Sequence, residues 1–77
     1  MSTAHDSAAL AAFRSMWICE ARARKTDHDV VRAQYLAQAK GFELRGYAYA
    51  GGHGSHAYRI MDAAYRDYHG RAFGARA

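Results

Sequence analysis

The sequence predicts a small, mainly α domain of three helices. Three observations point there. The chain contains no proline. Its apolar residues recur at spacings of three and four, and helix-start residues stand just before those periodic runs. The expected helices cover about 4–24, 27–40 and 56–69, with 42–50 irregular or a short strand. An α+β alternative pairs 42–50 with 56–61 in a hairpin across the glycine loop.

Two short strings open the first two helices: Thr-Ala-His-Asp at 3–6 and Thr-Asp-His-Asp at 26–29. In each, a Thr hydroxyl at the N-cap satisfies an orphan N–H, and an acid three residues on suits the positive helix end. Leu10, Phe13, Trp17 and Ala21 make one stripe on the first helix, expected to face the core. Met16, Trp17, Ile18 and Cys19 make that helix apolar all the way round, and a second apolar face must be buried somewhere. This quartet is therefore the candidate partner interface, with Cys19 on the face away from the core stripe. On the second helix Val31, Tyr35 and Leu36 mark the inner side, and Gly41 is placed to end it in the left-handed conformation. If 42–50 is a strand, Gly46 is a bulge in it. Ser55 is a good N-cap for the third helix, whose stripe of Tyr58, Met61, Tyr65 and Tyr68, with Ala57 and Ala64 beside them, is expected to be core. Gly70 ends it, leaving 70–77 as a loose basic end of a single domain, 1–77.

Composition bounds what such a domain does. Seventy-seven residues bury only about 60% of the surface of the unfolded chain. Eighteen of the residues are Ala, and only seven are Leu, Ile or Val. Aromatic rings must supply most of the core area. With a single cysteine no disulfide forms within the chain, so self-association, as a homodimer, is expected to supply stability. No run approaches a membrane span, and no basic segment precedes the Ala-rich start. These features predict a cytoplasmic protein with no membrane partner.

The net charge is +4, with nine Arg among eleven cations. A basic balance of this kind favours an anionic partner. Residues 39–77 carry six cations against three acids. There Arg is interleaved with Tyr, a combination that serves base stacking and phosphate contact and protein hot spots alike. Arg45, Tyr47, Tyr49, Arg59, Arg66 and Arg71 are the candidate anion or nucleic-acid contacts.

Gly52 to Ala57 reads Gly-His-Gly-Ser-His-Ala, a match to GxGxxA. A dinucleotide fingerprint needs a βαβ unit around it, and no second strand follows. The loop reads as a hinge with mild affinity for anions at a helix N-terminus. His53 and His56 stand three apart without a supporting ligand pair, so no metal and no cofactor are predicted. Glu20 with Arg24, Asp62 with Arg66 and Asp67 with Arg71 are spaced as helix-stabilising ion pairs, and no catalytic residues are assigned.

Residues 33–52 resemble a helix-turn-helix, with Ala37 four before Gly41 and with Tyr47 and Ala50 as buried anchors. Lys40 and Gly46 depart from that pattern. The resemblance implies a DNA-binding transcriptional regulator in which Glu43, Arg45, Ala48 and Tyr49 face the groove. The leading expectation is different: a non-enzymatic basic binding protein. It is an accessory inhibitor or regulator of the phage or mobile-element kind, docking on a nucleic-acid-handling protein complex or on the nucleic acid itself. In size alone it is similar to the anti-CRISPR proteins.

Overall fold

The computed structural model describes residues 3–73, and the side chains of 5–70. Three helices follow one another: α1 Thr3–Lys25, α2 Asp29–Ala50 and α3 Ser55–Phe73. The mainly α three-helix domain is thus the fold, and no strand occurs among the described residues. The 42–50 segment belongs to α2, which removes the hairpin alternative. α1 packs against both neighbours, whereas α2 and α3 meet little. The result is a slab of 43 × 33 × 18 Å, thinner than two helix diameters of about 10–12 Å each.

This order explains the all-round apolarity of α1. A middle helix needs two apolar sides, one for each neighbour. Ala9, Ala12, Phe13, Met16, Cys19 and Ala23 are buried, and Leu10 and Trp17 pack on the edge of that core. Acid stands in the first turn of α1 (Asp6) and base in the last (Arg22, Arg24, Lys25), the arrangement the helix dipole favours.

The α1–α2 turn is held by a side chain. Arg32 Nε donates to the Ala23 carbonyl at 3.3 Å, its Nη2 to the Thr26 carbonyl at 2.7 Å, and its Nη1 to Asp29 Oδ1 at 3.0 Å. One guanidinium thus satisfies carbonyls that the end of α1 leaves open. Thr26 is not the N-cap of α2. That position is His28, which makes no side-chain cap bond, while Thr26 Oγ1 accepts the His28 N–H at 3.2 Å. The corresponding expectation at Thr3 concerns a side chain outside the described residues.

α2 does not end at Gly41. It runs on through Gly41 and Gly46 and stops at Gly51, whose φ is 91°. Gly52 N–H donates to the Tyr47 carbonyl at 2.7 Å and Gly51 N–H to that of Ala48 at 3.2 Å. This is the paired-bond Schellman ending, and two successive residues at positive φ make glycine the residue for both. Along α2 the buried positions are Ala39, Gly46 and Tyr47. Gly46 lies against Phe13: a Cβ there would stand 2.5 Å from Phe13 Cε1. Val31 and Tyr35 are half-buried as expected, but Leu36 points out, 49% exposed.

α3 turns alanines inward. Ala57 and Ala64 are buried, with Ile60 and Met61 packed beside them. Tyr58 and Tyr65, expected in the core, are exposed, because alanines let α3 approach α1 and push the larger rings to the flank. Gly70 does not end α3, which continues to Phe73; residues 74–77 of the expected loose end lie outside the described residues.

Candidate functional site: an aromatic cleft between α1 and α3

The quartet at 16–19 does not form one surface. Met16 and Cys19 are core residues, each 4% exposed, and Cys19 Sγ lies 3.8 Å from Gln38 Oε1 on α2. Their place as a partner interface is corrected: the face they occupy is covered by α2. Ile18 is half-buried. Trp17 goes the other way, towards α3.

Around Trp17 the chain leaves a cleft of about 320 Å³, lined by Trp17, Tyr58, Met61, Asp62 and Tyr65. The four α3 residues stand at positions i, i+3, i+4 and i+7, which places them on one flank of the helix. Trp17 and Tyr65 meet edge to face at 5.0 Å and 73°. Tyr65 also lies 6.3 Å from Tyr68 and 5.3 Å from His69, centroid to centroid. The Trp17 Nε1–H is buried and has no hydrogen-bond partner among the described residues. A hidden donor of this kind carries a desolvation cost. On the rim, Arg66 Nη2 pairs with Asp62 Oδ2 at 3.0 Å.

The opposite flank of α3 is polar. Arg14 Nη1 donates to Asp67 Oδ2 at 2.9 Å, and His56 Nε2 lies 3.0 Å from Asp6 Oδ1. A second groove, of about 350 Å³, runs beside them between Leu10, Ile60 and Arg59. Of the three expected intrahelical ion pairs, Asp62–Arg66 is formed. Asp67 reaches across to α1, and its expected mate Arg71 has its side chain outside the described residues. Glu20 and Arg24 line a groove with Arg32 and Leu36.

The expected anion-contact residues are not brought together. Tyr47 is core: its ring stacks on His53 at 3.7 Å and meets Phe13 edge-on at 5.4 Å and Tyr58 at 6.4 Å. Its placement as a free contact is therefore corrected. Burial raises the Tyr47 pKa above the usual tyrosine value, and Tyr58 and Glu43 add to the rise. Arg45 and Tyr49 are exposed on α2, where the Arg45 guanidinium sits 5.6 Å from the centre of the Phe42 ring. Arg59 and Arg66, seven apart, are exposed on α3. The helix-turn-helix geometry is not formed either, since 33–50 is one unbroken helix.

His53 and His56 are thus engaged separately, by Tyr47 and Asp6. Among the described residues no group of three or more His, Cys, Asp or Glu is arranged to hold a metal ion, and no helix is long and apolar enough to cross a membrane. Compared with known proteins, the chain matches no protein family, no curated protein and no solved structure.

Proposed function

We propose that this chain is a non-enzymatic binding protein, an accessory inhibitor or regulator that docks on a protein partner through the Trp17 cleft. The cleft carries the reading. Trp, Tyr, Met and Arg are the residue types enriched at protein contacts, and a few of them supply most of the binding energy. Here Trp17, Tyr58, Met61 and Tyr65 surround an open cleft with Arg66 at its rim. Tyr58 is 55% and Tyr65 41% exposed. An apolar side chain of the partner would fill the cleft. The charge of +4 and the exposed Arg59 favour a partner with an acidic surface.

The test is capture from a host lysate by the immobilised chain, with and without nuclease, beside a Tyr58→Ala/Tyr65→Ala variant. The expected result is a protein retained after nuclease treatment and lost at least about tenfold in the variant, the size of a hot-spot truncation. Tight binding to duplex DNA that falls steeply with salt would place the chain among nucleic-acid binders instead. Equal capture by the variant would remove the cleft from the account.

A further inference from the structure

We propose that a second copy of this chain covers the outer face of α2, antiparallel, about a two-fold axis at Ala37. The inner side of α2 is occupied by α1. Its outer side carries Val30, Ala33, Ala37, Gly41 and Leu44, all exposed, with Val30 at 61% and Leu44 at 56%. These spacings of three, four, four and three keep them on one face.

The pattern names the occupant. A helix that pairs antiparallel with its own copy brings each position before the axis against the one equally far after it, so its apolar face must read alike in both directions. This face does. Counted from Ala37, apolar or small residues stand four and seven positions away on either side. Val30 meets Leu44 of the second copy, Ala33 meets its Gly41, and Ala37 meets its own counterpart. Bulk lies at the ends and small residues at the middle, where the two backbones approach closest.

A further observation fits the same occupant. Nothing lies within 4 Å of where a Gly41 Cβ would stand, so no contact among the described residues accounts for a glycine in mid-helix, where it weakens the helix. A close-packed second copy accounts for it. Charge selects the direction. A parallel pair sets Lys40 against Arg45 of the copy, five residues on, as like charges. In the antiparallel register Lys40 falls level with Gln34 of the copy and Arg45 level with Asp29, so neither meets a like charge.

Sedimentation equilibrium from micromolar to millimolar concentration tests the pairing. The expected mass rises from that of one 8.6 kDa chain towards twice that value. Leu44→Glu should stay at the single-chain mass while circular dichroism shows its helices intact. Cysteine variants read the geometry without relying on the charged one: Cys19 is buried, so the introduced thiol is the one that reacts. Ala37→Cys should cross-link under mild oxidation, and Val30→Cys should not. A wild-type mass that never rises, a dimer that survives Leu44→Glu, or a Val30→Cys cross-link as fast as that of Ala37→Cys would each overturn the proposal.

Discussion

Gly41 and Gly46 stand five residues apart in the same helix for opposite reasons. At Gly46 the absence of a side chain is a packing requirement, because the Phe13 ring occupies the space a Cβ would take. Among the described residues Phe13 is the one large side chain that is fully buried, and Tyr47 braces it edge-on, so the ring has little room to move. At Gly41 the same absence leaves open space. The inner face of α2 is closed by α1 and the outer face is bare. The lesson is that a glycine inside a helical stretch marks an approach by something: here by Phe13 on one side and, in the proposed pairing, by a second copy on the other.

The largest expected effect breaks the inner side. Phe13→Ala should cost about 3–5 kcal/mol of unfolding free energy, as large-to-small core changes of an aromatic do. In that background Gly46→Ala, which alone should cost about 1–3 kcal/mol by overpacking, should lose most of its cost, because the clashing ring is gone. Chemical denaturation of the two single variants and the double variant measures that coupling. Additive costs would mean that Phe13 and Gly46 do not constrain one another.

A smaller effect sharpens the same contact from its aromatic side. The raised pKa of Tyr47 means that above about pH 10 the unfolded chain ionises this hydroxyl before the folded one does. Folding stability should therefore hold below that pH and fall as pH rises through the folded value. Tyr47→Phe should flatten the alkaline fall in thermal melts taken from neutral to pH 11 or so. An alkaline slope unchanged by the substitution would place the titrating group elsewhere.

The sequence made the outline of the fold legible and misplaced its interior. α1 was readable because its Ala-rich stretch has no internal glycine and its apolar residues repeat cleanly. The end of α2 was not, because a glycine after a periodic run marks a stop and a close approach alike, and Gly41 fits the first reading locally. The true stop carried the stronger signal, two adjacent glycines at 51 and 52. The core stripe of α3 was centred on its tyrosines because size was taken as the sign of burial. Alanines were turned inward at Ala57 and Ala64 and tyrosines outward, a choice that depends on how near α1 lies.

Of the candidate site, Trp17 was legible both on the core stripe of α1 and in the apolar quartet 16–19, and Tyr58 and Tyr65 only as core. The apolar excess at 16–19 was real, but it serves a helix with two neighbours. The Arg32 clamp carried no signal in sequence, since the carbonyls it meets are brought together only when α1 and α2 fold back on each other.

The most direct measurement is the pair of single substitutions Gly41→Ala and Gly46→Ala, compared by denaturant unfolding at a dilution where the chain is monomeric. The two should differ in sign. Gly41→Ala should stabilise by about 1 kcal/mol, the helix preference of Ala over Gly at an open position, and Gly46→Ala should destabilise. Two stabilising substitutions, or two of equal cost, would contradict a helix closed on one side by Phe13 and open on the other.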